Sequence, residues 1–171
     1  MKKDFVREVV NGTTMIRGII LGMIWFFRNQ CGVLFPTTYV IFSTASMIHH
    51  LHTGFIGYNH TLLRIDLLTQ QASAISIIIM ENDNLRLVYA VLLTMLSLLV
   101  NLKRRRKMGY AINGFLILVV ADIYQPYIRM MCLSNIIIFL YGAITKSVYA
   151  HGVFHLFAHY ITMHATYRMC G

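Results

Sequence analysis

Apolar residues recur along this chain in blocks of about seventeen to twenty, the length that carries a helix across the hydrocarbon core of a bilayer. Polar breaks separate the blocks: Asn29-Gln30, Gly57-Tyr58-Asn59-His60, Glu81-Asn82-Asp83-Asn84, the basic run Lys103-Arg104-Arg105-Arg106-Lys107, Gln125-Pro126, and the stretch around Lys146-Ser147. The pattern predicts an all-α polytopic membrane bundle of about seven spans near 13–28, 33–52, 62–80, 85–102, 108–124, 127–145 and 149–168. No repeat or low-complexity segment interrupts them, and residues 1–171 read as a single transmembrane domain. Met1-Lys2-Lys3-Asp4 leads into a modest apolar stretch without a small-residue cleavage site, so the first span is expected to be retained.

Composition strengthens this reading. Hydrophobic residues make up 57% of the chain and charged residues 12%, against ~25% charged in an average soluble domain, too few to coat a water-facing globule. The net charge of +9 would suggest nucleic acid in a soluble protein. Here five of the positive charges form the single run 103–107 between apolar segments, which fits a cytosolic loop, and no nucleic-acid partner is expected. With seven spans, Lys2, Lys3, Arg7, the basic run and Lys146 collect on one side. The positive-inside rule then puts the amino terminus in the cytosol and the carboxyl terminus outside or in a lumen. Asn11-Gly12-Thr13 and Asn59-His60-Thr61 have the form of glycosylation sequons but lie on or near the cytosolic side.

The three cysteines, Cys31, Cys132 and Cys170, are far apart and lack CxxC spacing. They argue for neither a disulfide framework nor a thiolate metal site and read as small buried or interfacial thiols. No GxSxG, P-loop or GxGxxG is present, which leaves serine-hydrolase and nucleotide chemistry without support. Gly18 and Gly22 form a GxxxG that packs the first span closely on a neighbour or on a second chain, so an oligomer through them is one reading. Asp122 reads as an interfacial end-cap beside Pro126 in preference to a transport group.

All eight histidines fall in two windows: His49, His50, His52 and His60 around the second-to-third loop, and His151, His155, His159 and His164 in the last span. Ionisable side chains are expensive in a membrane and tend to mark functional cavities. The span order brings the end of span two, the start of span three with Asp66, and the start of span seven to one interface, within about 10 Å in depth at ~1.5 Å rise per residue. His151 and His155, four residues apart, project from one helix face. With His50 they make three imidazole ligands and leave a fourth position open, the pattern of a catalytic zinc site. Asp66 is placed to handle the proton of a water on the ion, and Ser46, one turn before His50, to hydrogen-bond that water or a developing oxyanion. His155 and His159 form a second HxxxH pair, held in reserve. His49 points about 100° away from His50, and Asp66 has a structural alternative as partner of Arg64 or Lys146.

These residues also carry a resemblance. Ser46-Met47-Ile48-His49-His50, then Asp66, then Ala150-His151-Gly152-Val153-Phe154-His155-Leu156 resemble the motif set of the CREST superfamily, which includes alkaline ceramidases, progestin and adipoQ receptors, and Per1-like GPI-lipid remodelling proteins. The resemblance covers the seven-span plan and about a dozen motif residues. It implies that His50, His151 and His155 bind zinc, that Asp66 and Ser46 contact the water on it, and that the substrate is an amide or ester of a membrane lipid. The expectation is therefore a zinc-dependent intramembrane lipid hydrolase, ceramidase-like or acting on acyl lipids. Two alternatives from other classes stand beside it: a haem-binding electron carrier with axial histidines, and a noncatalytic membrane scaffold or transporter.

Overall fold

In a computed structural model, residues 2–29, 31–102, 126–145, 147 and 149–170 are described, together with 112, 116, 119 and 120. The described residues form six long helices joined by turns, with no strand among them. We number them α1 (Lys2–Phe27), α2 (Leu34–Phe55), α3 (His60–Met80), α4 (Asn84–Leu102), α5 (Pro126–Thr145) and α6 (Ala150–Cys170). Five of them fit the expected spans to within about three residues, an ordinary uncertainty at helix ends. The expected fifth span, 108–124, with Asp122, falls mostly outside the described residues. Within it Leu116 and Val120 are helical and buried against Trp25, Phe35 and Ala90. Two helices, Asp4–Phe27 and His60–Met80, are long and apolar enough by themselves to cross a membrane; Asn84–Val100 and Pro126–Gly142 are shorter apolar stretches.

The first helix departs from its expected bounds, running from Lys2 where the sequence suggested a span from 13. Its early charges satisfy one another: Arg7 Nη1 lies 3.1 Å from Asp4 Oδ1, and Arg7 Nε donates to Glu8 Oε1 at 3.0 Å. A single buried stripe then follows the helical period through Glu8, Asn11, Gly12, Met15, Gly18, Gly22 and Trp25.

That stripe seats α1 antiparallel on α2. Phe5 meets Phe55 edge-on at 5.1 Å, Gly12 faces Leu51, Gly18 faces Ser43, Gly22 faces Val40, and Trp25 stacks on Phe35 at 5.6 Å. The GxxxG surface is thus covered within the chain by α2, since a Cβ at Gly22 would stand 2.6 Å from Val40 Cγ2. α6 runs parallel to α1 against the same stripe, with Gly152 beside Val10 and Gly18 beside His159. α2 packs on α3, where Thr38 and Ser76 share a hydrogen bond of 2.9 Å, α3 packs on α4, and α5 packs on α6.

Local chemistry sets the helix boundaries at the expected breaks around Asn59 and Asp83. Asn59 caps α3 by accepting from the backbone N–H groups of Thr61 and Leu62 at 2.9 and 3.2 Å. α3 ends at Met80, and Asn82 in the following turn has a positive φ of 54°, which suits asparagine. Asp83 then caps α4, accepting from the Arg86 N–H at 2.9 Å and pairing with its guanidinium. Those bonds, the backbone one first, hold the Asp83 carboxyl below the usual carboxylate range. Cys31, in the turn after α1, is disulfide-bonded, which corrects the reading of the cysteines as thiols throughout, while Cys132 is a buried free thiol. Sequence spacing could not reveal that bond, because only the fold sets which cysteines approach.

Candidate metal centre

The antiparallel order of α1, α2 and α3 and the parallel return of α6 bring four helix ends to one level: the start of α1, the end of α2, and the starts of α3 and α6. His50, His151 and His155 meet there. One ring nitrogen from each lies within 4.8 Å of the others. Ring centroids are 5.2 Å apart for His50 and His151, 5.4 Å for His50 and His155, and 4.6 Å for His151 and His155. The last separation follows from the i, i+4 spacing on α6. His50 and His155 are buried and His151 is half-buried.

The donor set suits zinc. Three neutral imidazoles at ~2.0–2.1 Å from one ion is a common catalytic ligand set. His155 is 7% exposed and its Nε2 is buried without a hydrogen-bond partner. A buried ring nitrogen left unpaired is costly, and a ligated ion would satisfy it.

Asp66 and Ser46 stand beside the histidines. The Asp66 carboxyl lies within electrostatic reach of the Ser46 hydroxyl and of the His50 ring. Ser46 Oγ is buried and makes no hydrogen bond among the described residues. Ser46 is 1% exposed, whereas Asp66 is partly buried.

The reserve residue His159 is elsewhere. Its Nδ1 is hydrogen-bonded to the Tyr39 hydroxyl at 2.5 Å, one helical turn beyond His155 and beside Gly18. The other histidines also have separate surroundings. His49 is buried with its ring centroid 5.2 Å from that of His50, and His52 Nδ1 bonds the Gly57 carbonyl at 3.0 Å. His60 lies against Tyr58, and His164 between Tyr127 and Tyr160.

Sequence reasoning missed Glu8. Its Oε2 lies 2.7 Å from His50 Nδ1, and its Oε1 is held by Arg7 Nε and Nη2, each at 3.0 Å. A carboxylate on the helix next to a candidate ligand was detectable only by following the buried stripe of α1 back past residue 13. No family model, curated protein or solved structure matches the chain.

Proposed function

We propose that the chain is a multi-pass membrane protein of about seven spans that binds zinc through His50, His151 and His155 and hydrolyses an amide or ester bond of a membrane lipid. One observation carries the reading: three imidazoles converge within 4.8 Å at one level of the bundle, flanked by Asp66 and Ser46. The convergence speaks against haem, whose axial ligands lie on opposite faces of a macrocycle that would have to fit between them.

The distribution of polarity supports the membrane part. Inside the bundle lie Asn11, Ser43, Gln71, Ser73, Ser76, Ser97 and Asn135. Outward face Leu85, Val88, Leu92, Met95 and Leu99 of α4 and Met130, Ile137, Leu140 and Ile144 of α5. Among the described residues this is the reverse of a water-soluble protein, and apolar faces of that extent require lipid or protein cover. The disulfide at Cys31 supports the orientation. Disulfides persist in oxidising compartments, and Cys31 lies at the end of α1 remote from Arg7 and Glu8. That agrees with a cytosolic amino terminus and a lumenal or extracellular α1–α2 turn.

When bound, zinc would supply a Lewis acid for the substrate carbonyl and make an attacking water more acidic. This chain's own residues do the rest. The three imidazoles would hold the ion at the level of the helix ends, and the acyl chain enters between the helices. Asp66 takes a proton from the attacking water as its oxygen bonds to the carbonyl carbon. Ser46 donates to the oxygen on which negative charge develops. The carbon–nitrogen or carbon–oxygen bond then breaks, and the proton held on Asp66 passes to the departing amine or alcohol.

The test follows fatty-acid release from ceramides and glycerophospholipids in mixed micelles. Asp66→Asn keeps the side chain's size and removes the base, so turnover should fall ~10²–10⁴-fold while zinc is retained. Equal release by Asp66→Asn and wild type would make Asp66 structural. A zinc-loaded wild type that releases nothing from any of these lipids would favour the noncatalytic scaffold or transporter.

A further inference from the structure

We infer that Glu8 is the positioning residue of the metal centre: its carboxylate holds His50 as the Nδ1–H tautomer and turns Nε2 toward His151 and His155. The inference rests on the zinc reading above.

A histidine ring can offer a metal either nitrogen, and the hydrogen bond made by one decides which lone pair is left for the ion. In this chain the Glu8 contact decides it. An ionised carboxylate only accepts, so His50 Nδ1–H donates to Glu8 Oε2 across 2.7 Å. The lone pair then sits on Nε2. Carboxylate–histidine–metal chains of this kind fix the ligand's orientation and raise its basicity.

The carboxylate is itself held in place. Its other oxygen accepts from both Nε and Nη2 of Arg7 at 3.0 Å, and Arg7 Nη1 reaches Asp4 Oδ1 at 3.1 Å. Asp4, Arg7, Glu8 and His50 thus form one chain of charge-assisted contacts. It runs from the partly exposed start of α1 to a side chain 9% exposed. Arg7 and Glu8 could pair with each other at the surface without burial. Burying Glu8, at a desolvation cost, is what brings its second oxygen to His50.

The backbone is arranged to allow it. Gly54, in the last turn of α2, lies where a Cβ would stand 3.2 Å from the Glu8 Cβ. Gly152, in the first turn of α6 between the two ligands, lies where a Cβ would meet Val10 Cγ1 at 2.9 Å. Two glycines on two helices therefore let the early turns of α1 close on the level of the three histidines. The extension of α1 back to Lys2 gains its purpose from this contact.

The experiment measures metal binding on the full chain purified in detergent. Zinc affinity is read by chelator competition, and ligand geometry by the visible absorption of the cobalt-substituted protein, for wild type, Glu8→Gln, Glu8→Ala and His50→Ala. Wild type should show tetrahedral cobalt bands. Glu8→Ala should bind zinc ~10–100-fold more weakly, with displaced cobalt bands. Glu8→Gln keeps an oxygen that accepts from Nδ1–H and should fall between the two; being isosteric, it also serves if Glu8→Ala does not fold. Wild-type affinity and unchanged bands in Glu8→Gln and Glu8→Ala would overturn the inference. So would loss of all binding in Glu8→Gln with binding kept in His50→Ala, which would make Glu8 a ligand. A wild type that takes up neither zinc nor cobalt would instead bring down the zinc reading, and Glu8's role with it, before any variant is compared.

Discussion

Replacing Gly18 by alanine adds one methyl group where three helices touch, and the structure gives the cost. An ideal Cβ there stands 2.3 Å from Ser43 Oγ on α2 and 2.4 Å from His159 Cε1 on α6. Ordinary contacts begin near 3.4 Å, so both neighbours would have to retreat by about 1 Å. Ser43 is fully buried, and the His159 ring is held by its bond to Tyr39. Neither can yield alone, so the helices must separate. Overpacking of this kind costs ~1–3 kcal/mol, and the double overlap argues for the upper part of that range. Alanine recovers about 1 kcal/mol over glycine within a helix. The net destabilisation expected is therefore about 1–2 kcal/mol. Because α6 also carries His155, one turn from His159, zinc affinity should fall with it. The assay is thermal unfolding of Gly18→Ala in detergent, against Gly12→Ala, where the nearest atom is the flexible Leu51 side chain at 2.9 Å. A Gly18→Ala protein as stable as wild type would refute the close packing of α1 on both α2 and α6 at Gly18.

Further outcomes follow from the same structure. Ser46→Ala should slow lipid turnover less than Asp66→Asn, because one hydroxyl is only part of oxyanion stabilisation; a larger loss would reverse their roles. His159→Ala should keep its zinc, since His159 bonds Tyr39 and lies outside the trio, and His164→Ala should have little effect; loss of metal from His159→Ala alone would move the site to the second HxxxH pair. Asn59 in a eukaryotic host should carry no glycan, both because its loop is cytosolic in the proposed orientation and because its side chain is committed to capping α3; a glycan there would overturn the orientation. Cys31 should resist alkylation until reductant is added, and immediate labelling would remove the support for an oxidising compartment at that end.

The candidate site was legible where local spacing determines it. His151 and His155 share a face because they are four residues apart, and Ser46 and His50 follow the same rule. Asp66 and His50 could be placed at one level once span order was read from the apolar blocks. Glu8 was missed because it precedes the apolar block from 13 onward; whether charges there leave the helix or pair within it depends on His50, forty-two residues away. The GxxxG of Gly18 and Gly22 showed that some surface approaches closely, yet only the tertiary structure gives its occupants, Ser43, His159 and Val40. The His159–Tyr39 bond joins residues 120 apart in the chain, and no local pattern marks it.

Elemental mass spectrometry of the detergent-purified protein asks whether three imidazoles from two helices hold one zinc ion. Wild type should contain close to one zinc per chain. His50→Ala, His151→Ala and His155→Ala should each lose it, because the ligands contribute jointly to affinity. A wild type purified without zinc, and unable to take it up when supplied, would rule out a zinc site at His50, His151 and His155.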